Sequence, residues 1–355
     1  GGASDFRFSL LADHGALTLT ATSGLTLTGG ANGTHVMTYT GTLADINTAL
    51  ASVSYRPDPN YSGVDAIALT TNDAGRAGSG GALTDTDMAT VTVNAVNDAP
   101  ANTMPGSFSL DEDATKTSLA FSIADVDVGA ASDFRFSLLA DRGALILTTT
   151  SGLALIGGAS GTRAMTYIGT LTDVNAALAG VTYQPDANYN GLDSITLISN
   201  DAGHTGAPGV LTDADVITVT VSAVNDAPTL DASYSPALTA INEDATDPAG
   251  DTVAAIVADG SVADVDGSPV EAIAVIGADN ANGVWQYSTD SGSSWLALGT
   301  PTQSAARLLS PDVMLRFIPV SDYSGSATLS FRAWDRTTGL SGGAADTTTN
   351  GGATA

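Results

Sequence analysis

The residues in this chain that could do chemistry are carboxylates, and they recur in short strings. Glu112-Asp113, Asp125-Val126-Asp127, Asp186, Asp201, Asp213/Asp215 and Asn225-Asp226 all fall in polar, loop-like stretches, and few interrupt an apolar alternation. A hard cation such as calcium takes six to eight oxygen ligands at ~2.3–2.6 Å, and Asp-x-Asp pairs, Asn amides and backbone carbonyls supply them. Without a cation, carboxylates gathered at a junction would repel one another. Taken singly, Asn-Asp-Ala-Pro also reads as an Asx turn before proline, and Asp-x-Asp as a solvated loop. The cation reading rests on several such strings repeating in register; Asp85/Asp87 and Asp213/Asp215 are left outside the set.

The repeat that carries these acids also defines the elements that must position them. Residues 1–100 match residues 129–228 without a gap at an offset of 128, with about two thirds of the pairs identical. Both copies end in Val-Asn-Asp-Ala-Pro, at Val96–Pro100 and Val224–Pro228, where proline ends a ladder strand and fixes an extended exit. A divergent third copy follows: Asp264-Val265-Asp266 echoes Asp125-Val126-Asp127, and Phe317-Ile318-Pro319 with Asp322-Tyr323-Ser324-Gly325 echoes Tyr183-Gln184-Pro185 with Asn188-Tyr189-Asn190-Gly191. The expected modules are 1–100, lacking its first strands; 101–228; and 229–355, lacking its last strand.

Alternation predicts strands. Phe134, Phe136 and Leu138 alternate with polar residues, as do Ile195 with Leu197, and Ile217, Val219 and Val221. Gly-rich turns such as Ser151-Gly152 and Gly157-Gly158 separate them at the spacing of a Greek-key sandwich. Asp173–Leu178, with an N-cap-like acid and Gly180 beyond it, predicts one short helix per module, repeated at Asp45–Leu50. The fold class is therefore all-β: tandem Greek-key β-sandwich modules, cadherin- or Ig-like, in an elongated array with one short helix each.

Composition bounds the function. Acidic residues outnumber basic ones 38 to 11, and a net charge of −27 repels phosphate backbones, which argues against nucleic acid and for cations as partners. A hydrophobic content of 43% supports buried cores and speaks against disorder. With no cysteine, neither disulfides nor thiolate metal sites are available. No apolar run approaches the ~20 residues that would span a bilayer.

On these residues the chain resembles the cadherin-like tandem repeats of large bacterial adhesins, linked by Asn-Asp-Ala-Pro. Glu112, Asp125/Asp127, Pro185-Asp186-Ala187-Asn188, Asn200-Asp201-Ala202-Gly203 and Asn225-Asp226 stand in the order of the family's calcium-binding strings. The resemblance implies calcium at two junctions. The first would combine Asp58, Asn60, Asn97, Asp98, Asp125, Asp127 and Asp201; the second would combine Glu112, Asp186, Asn188, Asn225, Asp226, Asp264, Asp266 and Asp335. Asn188 stands where cadherins have Glu, and Val320 and Asp322 replace an Asp-x-Asn pair. The implied role is a calcium-rigidified extender of a secreted or cell-surface bacterial adhesin, acting in adhesion or biofilm, with cell-surface proteins or glycans as partners.

Two other roles compete: a carbohydrate- or protein-binding module, and a noncatalytic stalk of an extracellular hydrolase. The binding-module reading looks to Trp285, Tyr287 and Trp295, which read as an aromatic hairpin; the expectation is that they pack in a core, with Trp295 largely buried. Catalysis is not expected. Gly339-Leu340-Ser341-Gly342-Gly343 matches a nucleophile-elbow string but lacks the strand and helix around it, and His14, His35 and His204 are scattered. Paired acids for glycoside hydrolysis would need an apolar cleft to raise one pKa, which Asp-rich loops do not offer.

Overall fold

A computed structural model describes residues 6–75, 79–231, 233–234, 236–257, 260–267 and 270–349. The chain is all-β, built of tandem β-sandwich modules. It divides into two compact units: Gly1–Ser107 with Thr115–Gln184 and Asp193–Val219, and Phe108–Ala114 with Pro185–Leu192 and Thr220–Ala355.

In the first unit the sequence repeat becomes a repeat of sheets. One sheet runs Thr26–Gly30, Val36–Gly41, Phe6–Ala12, Gly63–Asn72, Thr84–Val93; the matching strands of the next copy run Ala154–Gly158, Ala164–Gly169, Phe134–Ala140, Gly191–Asn200, Thr212–Ser222. Register is identical: Phe8 pairs with Tyr39 and Leu10 with Met37, as Phe136 pairs with Tyr167 and Leu138 with Met165. The cause is the period of two. Alternate residues of Phe134–Ala140 enter the core, so a one-residue slip would expose Phe134, Phe136 and Leu138, all now at 0% exposure. The facing sheet consists of Gly15–Leu19 with Val53–Pro57 in the first copy, and of Lys116–Leu119, Val181–Pro185 and Gly143–Leu147 in the second.

The predicted helix is present in both copies, at Leu43–Leu50 and Leu171–Leu178, but its cap is a threonine rather than the aspartate. Thr170 Oγ1 accepts the N–H of Asp173 at 3.1 Å and donates to its carboxylate at 2.7 Å, with Thr42 and Asp45 alike. The acid therefore sits at the third helical position, one half of a capping box. Buried Val174, Ala177 and Leu178 hold the helix to the core.

Each copy also buries an acid at the same repeat position. Asp193, 4% exposed, takes the Tyr183 hydroxyl at 2.5 Å and the N–H groups of Asp141 and Arg142 at 3.0 Å each; Asp65, 1% exposed, does the same with Tyr55, Asp13 and His14. Tyr183 reaches its partner by crossing Gly143, where a Cβ would lie 2.5 Å from the ring. These carboxylates are satisfied inside the protein and pin the hairpin turn above them.

The second unit packs two four-stranded sheets: Asp251–Thr252, Met314–Pro319, Gly283–Ser288, Leu296–Ala297, and Leu329–Trp334, Ala272–Ala278, Ala306–Leu309, Ala344–Ala345. Trp285 and Tyr287, 3% and 5% exposed, join Ile273, Val275, Leu309 and Leu315 between them. Trp285 meets the expectation of a core residue, its indole N–H donating to the Asp279 carbonyl at 3.0 Å. Trp295 does not: it is only partly buried, because it precedes its short strand and its ring lies under the Arg316 guanidinium, 3.9 Å from the ring centroid, instead of between the sheets.

Candidate metal centres

Two acidic networks form, one in each unit, and they are built on the same hydrogen bonds. In the first unit Asn97 Nδ2 donates to Asp201 Oδ2 at 2.5 Å, the Asp98 N–H to Asp127 Oδ2 at 2.5 Å, and the Asp127 N–H to Asp125 Oδ1 at 2.8 Å. In the second, Asn225 Nδ2 donates to Asp335 Oδ2 at 2.7 Å, the Asp226 N–H to Asp266 Oδ2 at 2.5 Å, and the Asp266 N–H to Asp264 Oδ1 at 2.9 Å. The Asn of each linker spends its N–H on a carboxylate, which leaves the amide oxygen as the atom available to another partner.

The second network is the more closed. Glu112 is 3% exposed; its N–H donates to the Ser222 carbonyl at 2.9 Å, and its Oε1 takes the Val224 N–H at 2.7 Å. Its other oxygen, Oε2, is buried without a hydrogen-bond partner, as is Asp226 Oδ2. One carboxylate oxygen each from Glu112, Asp226 and Asp266 lies within 4.8 Å of the other two. Two oxygens on opposite sides of a calcium ion bound at ~2.4 Å stand about 4.8 Å apart, so these three can share one ion. In the first network Asp125 Oδ2 is the buried, unpartnered oxygen.

The electrostatics follow from this crowding. Burial, then the charges of Asp266, Asp113, Glu112 and Asp264, push the Asp226 carboxyl above the ordinary value of 3.8. Burial likewise raises Asp125, against the N–H groups of Asp127 and Val128 and with the charges of Asp201 and Asp127. A buried carboxylate with a bare oxygen among like charges is costly unless a cation or a proton is supplied. The donors here are oxygens alone, which suits a hard divalent ion such as calcium.

The remaining candidates lie in the turns that follow Val53–Pro57 and Val181–Pro185. Asp58 gives its carboxylate to His35 Nε2 at 3.0 Å, and Asn60 is exposed with a left-handed φ of 61°, a turn conformation asparagine tolerates. Asp186 and Asn188 occupy the matching turn of the second copy, where Asn188 has φ 56° and the Tyr189 N–H donates to the Asp186 carbonyl at 3.1 Å. Asp113, which the sequence reading left out of the ligand set, contributes to the field on Asp226 from a residue with φ 62°. Its adjacency to Glu112 was the available signal.

No family model and no curated protein matches the sequence. Solved structures similar to the chain include a protocadherin gammaB7 EC3-6 cis-dimer, at 15% identity over 90% of this chain and 65% of that one, with a TM-score of 0.33. They also include mouse cadherin-23 EC22-24, at 14% identity over 91% and 79% with a TM-score of 0.34, and human CDH23 EC21-23, at 14% over 91% and 87% with a TM-score of 0.34. The chain thus spans just under two thirds of the protocadherin it is similar to. Among the described residues, no helix is long and apolar enough to cross a membrane.

Proposed function

We propose that this chain is a calcium-stiffened extender segment of an extracellular, adhesin-type repeat protein of the bacterial surface. The observation that carries this reading is the pair of matching acidic networks, each with a buried carboxylate oxygen that has no hydrogen-bond partner among the described residues. Calcium would complete the coordination of Glu112, Asp226 and Asp266 in one network and of Asp125 with its neighbours in the other. It would tie the Asn-Asp-Ala-Pro linkers to loops distant in sequence. Order in the linkers would then depend on the ion, and a string of such modules would hold a distal binding domain away from the cell. Cell-surface proteins or glycans are the partners such a segment would serve.

Calorimetric titration with calcium tests the site, and small-angle scattering tests the mechanical role. Binding should weaken in Asp226→Ala while the circular dichroism of the sandwiches is retained. The radius of gyration should differ between EDTA and millimolar calcium; the same value in both would refute stiffening.

A further inference from the structure

The two acidic networks differ in the residue that follows their Asp-x-Asp string. Asp125-Val126-Asp127 continues into Val128, whereas Asp264-Val265-Asp266 continues into Gly267. Val128 is buried at 5% exposure, and its N–H donates to Asp125 Oδ1 at 3.1 Å, beside the Asp127 N–H at 2.8 Å. In the second network the Asp266 N–H keeps the matching bond to Asp264 Oδ1 at 2.9 Å, but the Gly267 N–H bonds to no other described residue. Gly267 is exposed, and a Cβ built on it would meet nothing within 4 Å.

An aspartate carboxyl and the backbone nitrogen of the next residue can close a five-membered ring. The nitrogen must be unencumbered and the chain free to turn toward the side chain, which a β-branched neighbour opposes and glycine permits. In the first network that nitrogen is buried and hydrogen-bonded; in the second it is neither. Asp266 Oδ2 also accepts the Asp226 N–H, which draws electron density from Asp266 Cγ, the atom the nitrogen would attack.

We propose that Asp266-Gly267 is a site of spontaneous isoaspartate formation, through which the second network loses its ion site. The Gly267 nitrogen bonds to Cγ of Asp266 in its acid form; the Cγ–OH bond breaks, and the hydroxyl leaves with the amide proton as water. Water then opens the succinimide. Attack at Cγ restores aspartate, whereas attack at the α-carbonyl leaves the main chain running through Cβ and Cγ, with a free carboxylate on Cα. Cγ then carries an amide in place of a carboxylate, which breaks the group of three carboxylate oxygens from Glu112, Asp226 and Asp266. The effect on calcium rests on the function proposed for that network; the isomerisation does not.

The test ages the full chain in EDTA and scores its peptides by mass spectrometry, with enzymatic methylation as the label for isoaspartate. An isomer of unchanged mass is expected at Asp266, forming at least about tenfold faster than at Asp127. Asparagine deamidation, as at Asn282-Gly283, is told apart by its added mass, and electron-transfer fragmentation separates Asp266 from Asp259 of the chain's other Asp-Gly pair. Gly267→Val, which installs the residue of the first network, should suppress the isomer, and Gly267→Ala should slow it; circular dichroism checks that both variants fold. In calorimetry the aged chain should lose calcium sites in proportion to the isomer formed. No isomer at Asp266, equal rates at Asp266 and Asp127, or an isomer undiminished in Gly267→Val would overturn the proposal, as would an isomerised chain that binds calcium like the fresh one. A fresh chain that binds no calcium would instead refute the calcium reading and leave the isomerisation standing.

Discussion

Glu112 concentrates the case for a cation, because one of its oxygens is spent on the Val224 N–H and the other is buried with no partner. Glu112→Gln keeps the shape and removes one charge, so calcium affinity measured by calorimetry should fall by about tenfold or more. Asp226 gives the pH dependence. Its folded pKa is raised, so its contribution to stability is full below the unfolded value and is lost as pH rises through the folded one. A proton and a cation thus compete for the same oxygens, and the calcium-induced rise in Tm should shrink as pH is lowered from neutral towards 3.8. Asp193 is the contrasting acid, satisfied within the fold. Asp193→Ala would strand the Tyr183 hydroxyl and the N–H groups of Asp141, Arg142 and Ser194, costing about 2–4 kcal/mol in urea unfolding, with calcium affinity unchanged.

At the scale of elements, the short helices depend on their caps and on the core beneath them. Eight residues are too few for a stable isolated helix, so Leu171–Leu178 exists because Val174, Ala177 and Leu178 are buried and Thr170 closes its first turn. Thr170→Ala should lower stability by about 1 kcal/mol in denaturant melts without altering calcium binding, since the helix holds none of the candidate ligands. The strands divide their labour in a comparable way: inward residues fill the sandwich, and the candidate ligands lie in the loops between strands.

For the whole molecule, a net charge of −27 on a chain without disulfides makes cations part of the stability balance. Calcium at a hundred times its Kd would add about 2.7 kcal/mol per site if it binds only the folded state. Chelation should therefore accelerate amide exchange first at Val96–Pro100 and Val224–Pro228, with the core strand Phe134–Ala140 remaining protected. Hydrogen exchange followed by mass spectrometry in EDTA and in calcium checks this; uniform acceleration through core and linker alike would contradict it.

Local pattern was enough to determine the strands and their buried faces, since the period of two that places Phe134, Phe136 and Leu138 in the core is written in consecutive residues. The repeat, the two short helices and the acidic strings at the linkers are equally local. The resemblance grouped Asn97 with Asp201, and Glu112 with Asp226 and Asp266; tertiary structure alone decided which of their atoms meet, by chain reversals that no spacing specifies, and that Asp58 turns to His35. It likewise decided that Thr170 rather than Asp173 caps a helix, and that Trp295 lies under Arg316 while Trp285 enters the core.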